Sequence, residues 1–355
     1  MKKKIWKKIF RFVFWGTLAF FVSFSGSVQA AQDLIYITSL PNKIVVIDGE
    51  RDEIAREISL RGTPYYVTGS RDGRRVFAIT GKRQFIDIID AETGKVVDSI
   101  SFSLPKKKIA ARFYGLAVNP KGNQLYAHIV SSREELDEII PEPPYLAVVD
   151  LQTKKIAGKV RVPYGVGALL PLSGGKKVYA FGRDIYVIDL VQLKIEKTIN
   201  LANPPAGGEG PLNALPFWTH YPKDGLFAIP LVTQDPITNS LQIGLLLLDT
   251  VSGKTEKLEL GPPVSIFSAV ASPDRQTAYG VFTQITVVDL KEKRITRTSP
   301  LPASFYTVDV SSNGKKLYIS GAAPQVLVVD AVSLKTLKTI DLPGNTFDLR
   351  VIPKE

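Results

Sequence analysis

The sequence predicts an all-β fold: a seven-bladed β-propeller of four-stranded antiparallel blades, closed by a composite blade built from both termini. Three observations lead there. The first is a phrase that recurs along the chain: an apolar run, an aspartate, a short turn, then a second run. It reads KIVVIDGERDEIAREI, FIDIIDAETGKVVDSI, YLAVVDLQTKKIAGKV, IYVIDLVQLKIEKTI, LLLLDTVSGKTEKLEL, ITVVDLKEKRITRT and VLVVDAVSLKTLKTI. Its aspartates are Asp48, Asp90, Asp150, Asp189, Asp249, Asp289 and Asp330, spaced by 42, 60, 39, 60, 40 and 41 residues. Seven copies at a period near 40, two of them lengthened, match the size of one blade.

The second observation is a complete unit near the C-terminus. Phe305–Ser311, Lys316–Gly321, Gln325–Asp330 and Lys335–Leu342 are four apolar runs punctuated by Ser, Asn, Gly and Pro. The third is that the ends complement each other. After the sixth full unit only Phe347–Pro353 remains, enough for one strand. The N-terminal side supplies the other three, Leu34–Thr38, Lys43–Asp48 and Ala55–Leu60. Pairing the two ends closes the ring and removes an open sheet edge.

In chain order, residues 1–30 read as a secretory signal peptide. Lys2, Lys3, Lys4, Lys7, Lys8 and Arg11 form a basic start, Phe12–Phe24 an apolar run, and Ser25–Ala30 a small-residue cleavage region. The apolar run falls short of the ~20 residues of a membrane span, so no span is expected after cleavage near Ala30. The expected location is periplasmic. Removing the segment lowers the formal charge from +11 to +5. The remaining Lys and Arg are scattered through turns, which does not suggest a nucleic-acid surface. Residues 31–355 form a single propeller domain with an ample core. The chain has no cysteine, which excludes disulfides, thiolate metal sites and covalent c-type haem on this chain.

The first full blade is expected over Pro64–Ser103, the second over Phe113–Pro163 and the third over Gly165–Leu201. The fourth is expected from about Phe217 to Leu260, with the irregular first strand FWTHYPKDG. The fifth spans Phe267–Leu301 and the sixth Phe305–Pro343. First-to-second strand turns carry Gly73, Gly122, Gly175, Gly225 and Gly314, which suits tight hairpins. Four segments exceed the basic period: Leu104–Arg112, Ser131–Pro144, Ala202–Pro216 and Thr233–Ser240. By strand order all four emerge on one face of the ring, the place to look for a contact surface.

Chemistry is sparse. The marker aspartates recur once per blade and so read as turn caps rather than catalytic pairs. His128, in YAHIV, reads as a packed strand residue, and His220 is the only other histidine. Phe217, Trp218, His220 and Tyr221 form the densest aromatic group beside an insertion, and are the candidate partner- or substrate-pocket residues. No Walker loop, GxSxG, HExxH or EF-hand occurs, no catalytic residue is assigned, and no metal site is expected.

The repeat phrase resembles that of YVTN-type propellers. More specifically, the chain resembles the β subunit of quinohemoprotein amine dehydrogenase. The carrying stretches are FGRDIYVIDL at Phe181–Leu190, FSAVASPDRQTAYGVFTQITVVDL at Phe267–Leu290, LPASFYTVDVSSNGKKLYISGA at Leu301–Ala322 and TIDLPGN at Thr339–Asn345. The resemblance implies a propeller with no cofactor of its own. It also implies two partners, a small subunit bearing cysteine tryptophylquinone and a dihaem cytochrome c subunit, with the amine pocket enclosed between chains. The other reading is a stand-alone periplasmic propeller that binds a ligand or protein. A propeller hydrolase would need an acid–base or metal cluster at the central channel.

Overall fold

The computed structural model describes residues 32–354 except 204–211, 217–224, 235–237 and 262–264. The segment expected to be a signal peptide lies outside the described residues, as do Phe217, Trp218, His220 and Tyr221. Among the described residues, no helix is long and apolar enough to cross a membrane.

Seven antiparallel sheets make the propeller. The first blade is Tyr66–Gly69, Arg75–Thr80, Phe85–Asp90 and Lys95–Ile100. The sixth is Phe305–Val310, Lys316–Gly321, Gln325–Asp330 and Thr336–Asp341. Both lie within a few residues of the expected runs. The seventh is composite, as expected: the C-terminal strand Leu349–Lys354 pairs with Gln32–Ser39, followed by Lys43–Asp48 and Glu53–Ser59.

Middle strands are buried on both sides, as Lys316–Gly321 and Gln325–Asp330 are, whereas outer strands such as Thr336–Asp341 expose most of their residues. This is why the third run of each repeat is mostly apolar and the fourth is mixed. The apolar side chains gather into seven clusters, each between two neighbouring blades. The ring therefore has no single core. Each blade is cemented to its neighbours by residues such as Phe77 and Phe113, or Phe181 and Phe227.

The marker aspartates cap turns. Asp330 Oδ1 accepts the Ser333 N–H and hydroxyl, and Asp189 Oδ1 accepts the Val191 and Gln192 N–H groups. Those backbone hydrogen bonds, strongest first, hold the two carboxyl groups below their ordinary range. Four residues past every marker the chain turns left-handed, at Asp52, Gly94, Lys154, Leu193, Gly253, Lys293 and Leu334. Only two of those are glycine, so the turn is fixed by the capping aspartate rather than by glycine.

One expectation is corrected. Blade four begins earlier than the aromatic segment FWTHYPKDG. Its first strand is Leu212–Ala214, inside the Ala202–Pro216 insertion, paired with Leu226–Gln234. Three residues with Asn213 at the centre carry little strand signal, and the neighbouring aromatic density outweighs it in the sequence.

Candidate functional site

The four insertions pair off. In blade two, the first strand lengthens to Ile109–Val118 and the second to Gln124–Glu134, with Ile109 opposite Arg133. A fifth strand, Ile139–Pro141, folds back on Glu134. The Glu134 N–H donates to the Lys108 carbonyl, and the Tyr164 hydroxyl to the Glu142 carbonyl, tying this flap to its base. In blade four, Leu212 pairs with Thr233, and Leu226–Gln234 runs alongside Leu241–Asp249. Each pair joins an entry segment to a second-to-third strand turn, so both flaps rise from the face where the inner strands begin. Leu136 and Ile139 at the blade-two tip are 98% and 71% exposed.

An aromatic collar stands at the entry ends of the first strands on the same face, in five of the seven blades. Pairing aligns Thr68, Ala117, Val270, Asp309 and Arg350, each opposite an aromatic of the second strand (Phe77, Tyr126, Tyr279, Tyr318 and Tyr36). Three residues earlier stand Tyr65, Tyr114, Phe267, Tyr306 and Phe347. They make contact across blades. Tyr65 stacks on Phe347 at 6.0 Å, and Phe267 meets Tyr306 at 6.0 Å. In blade five, Phe282 wedges between Phe267 at 4.4 Å and Tyr306 at 6.4 Å. In blade one the equivalent wedge is Arg83, whose guanidinium lies 4.6 Å from the Tyr65 ring centroid and 5.1 Å from that of Tyr114. Two backbone bonds establish the equivalence, Phe113 N–H to Arg83 carbonyl and Phe305 N–H to Phe282 carbonyl.

His128 lies behind the collar, 6.4 Å from Tyr114 ring to ring and 1% exposed. Its position mid-strand, opposite Leu146, is the one its sequence context suggests. Burial pushes its imidazole down to about 4, against an opposing pull from the Val166 backbone. The ring is therefore neutral at physiological pH.

A second polar group is buried at the closing strand. Arg350 and Asp348 are 2% and 1% exposed and 2.6 Å apart, and the guanidinium faces the Tyr66 ring at 5.3 Å. Burial alone would lower the Arg350 pKa, but Asp348, Tyr66 and Asp309 hold it above the ordinary value. The carboxylates also bridge blades. Asp348 accepts the Val67 N–H at 2.9 Å, and Asp309 accepts the Val351 N–H at 2.7 Å. The closing strand is thus latched on both sides. At the far end of the inner strands, a cavity of about 70 Å³ is lined by Arg350, Thr68, Ser70, Asn119, Ile352 and Pro353.

Among the described residues, no three His, Asp or Glu side chains gather at metal-ligand spacing. The arrangement offers π faces, one half-buried cation and two flaps, which is equipment for binding. Sequence reasoning placed the insertions on one face but missed the collar. Its signal was the aromatic at the start of the first strand, in YYV, FYGL, FSAV, FYTV and FDLR.

No protein-family model matches the chain, and no curated protein matches it. Solved structures share its fold. The hydrazine synthase of Kuenenia stuttgartiensis is similar at 12% identity and a TM-score of 0.58, over 86% of this chain and 90% of that one. The dihydro-heme d1 dehydrogenase NirN is similar at 16% identity and 0.58, over 91% and 75%. Apo AztD from Citrobacter koseri is similar at 15% identity and 0.55, over 90% and 97%.

Proposed function

We propose that this chain is the cofactor-free propeller subunit of a periplasmic complex resembling quinohemoprotein amine dehydrogenase. In this reading it docks a small quinone-bearing subunit and a dihaem cytochrome c subunit, and helps to enclose the amine pocket. The cysteine tryptophylquinone and haem reside on the partners. The observation that carries the reading is the convergence of two paired-insertion flaps and an aromatic collar on one face. Exposed apolar side chains at a flap tip, flanked in sequence by Glu134, Glu135, Asp137 and Glu138, have the make-up of a docking anchor with a polar rim. The resemblance in Phe181–Leu190, Phe267–Leu290 and Leu301–Ala322 supplies the identity of the partners.

The flap test is direct. Replacing Leu136 and Ile139 together with Asp is expected to weaken partner capture at least about tenfold, equivalent to about 1.4 kcal/mol. The melting temperature should stay within a degree or two, since both side chains are exposed. Unaltered capture would remove the blade-two flap from the interface. The second reading, a stand-alone binding propeller, is favoured by the collar, whose π faces suit an apolar ligand. It expects a monomer whose activity ignores flap substitutions.

A further inference from the structure

We propose that Arg83 is the anchor of a carboxylate-binding site in the aromatic collar, which takes a planar carboxylate attached to an aromatic or apolar group. The proposal stands apart from the docking reading.

Two equivalent wedges stand in blades five and one. In blade five the turn between second and third strands is short, Phe282-Thr283, and delivers an aromatic ring between Phe267 and Tyr306. A purely structural wedge is thus available to this fold. Blade one departs from it in two ways. Its turn is two residues longer, spanning Gly81–Gln84, and Gly81, Lys82 and Arg83 are all left-handed with φ of 56°, 56° and 67°. Two of those residues carry side chains, so the backbone holds a disfavoured shape to bring Arg83 to the wedge position. The departure replaces a ring with a cation.

The cation has no carboxylate partner among the described residues, unlike Arg61, which pairs with Asp87 at 2.9 Å. The Arg83 guanidinium instead rests against two aromatic rings, Tyr65 and Tyr114. A guanidinium held by ring contacts alone still has in-plane N–H donors to offer an oxygen ligand. Those donors form a fork matched to the two oxygens of a carboxylate. The surroundings favour an apolar substituent on the acid: Tyr114 and Phe347 are each 39% exposed, and Phe347 extends the Tyr65 face by stacking. Partial burial lowers the Arg83 pKa, the expected signature of a cation short of counter-charge.

Such an acid could be a free small molecule or the C-terminal carboxylate of a peptide, and the test separates them. The side-chain Nε–H resonance of Arg83 in the full chain is followed during titration with benzoate and, separately, with the peptide acid N-acetyl-Gly-Phe. Benzamide is the uncharged control. Saturable movement of that resonance with an acid, and none with benzamide, is the expected result. The tighter acid identifies the source. Arg83→Phe copies the blade-five wedge and is expected to stay folded while binding weakens roughly tenfold to a hundredfold, the loss of a charge-assisted bidentate contact. Arg83→Lys keeps charge but not the fork and should fall between. Should Arg83→Phe fail to fold, Arg83→Lys and Tyr114→Leu carry the comparison, each weakening the acid without abolishing the fold. The proposal is overturned if neither acid moves the Arg83 resonance, or if affinity survives removal of the guanidinium.

Discussion

Asp348→Ala is expected to cost about 3–5 kcal/mol of stability. The side chain is 1% exposed and does two things. It sits 2.6 Å from the buried Arg350 guanidinium, and it accepts the Val67 N–H of the next blade. Truncation leaves a charge and a backbone donor buried without their partner, and that residue of uncompensated charge, rather than the attraction itself, makes the loss large. The double replacement Asp348→Leu with Arg350→Met should recover much of the loss, because it removes both charges together. Denaturant midpoints of the wild type, both single variants and the double variant check this. A loss below about 1 kcal/mol for Asp348→Ala would mean that the closing blade is held by other contacts. Those others exist: Ser312 donates its N–H and hydroxyl to Asp33, and Thr38 bonds the Phe347 and Asp348 N–H groups. They bind the same strands and set the floor of the effect.

The second large effect is on pH dependence. His128 is neutral in the folded chain and titrates near 4, against an ordinary value of 6.5. Below 6.5 the unfolded chain therefore binds a proton that the folded chain refuses. Stability falls as pH drops through this window, by about 1.4 kcal/mol per unit and about 3 kcal/mol in all. The turn carboxylates act elsewhere. Their pKa values are lowered, so their contribution is complete above the ordinary carboxylate range and fades only below it. Asp33 opposes His128 in part, because burial raises its carboxyl and protonation then favours the folded chain. The His128 contribution is isolated by difference. His128→Leu should flatten the decline of melting temperature between pH 6.5 and 4, whatever its effect at pH 7. An identical slope in both proteins would show that the imidazole protonates in place.

What the sequence revealed and what it hid follow from distance along the chain. The marker aspartates were legible because each acts on N–H groups two or three residues away, and the same local demand recurs in every blade. The composite blade was legible because strand counting is arithmetic. The latch was not. Asp348 acts on Val67, 281 residues away, and no periodic pattern marks a residue needed once per ring. The collar lay between these cases. Its aromatics recur in five blades, yet they merge with the buried aromatics beside them, as Tyr114 does with Phe113 and Tyr306 with Phe305. Arg83 was hidden for a different reason: a lysine-arginine turn reads as solvated surface until three left-handed residues fold it inward. The aromatic group Phe217, Trp218, His220 and Tyr221 lies outside the described residues, and it remains the sequence's own nomination for the partner face.

The central claim is that this propeller works as a docking subunit among redox partners. The most direct measurement is to purify the chain from its native source under gentle extraction, record its visible spectrum and stain the co-purifying bands for haem. The docking account predicts a haem-bearing band and a quinone-bearing band in stoichiometric amount, both lost with the Leu136→Asp and Ile139→Asp flap. A colourless single chain, recovered repeatedly under the same conditions, contradicts it.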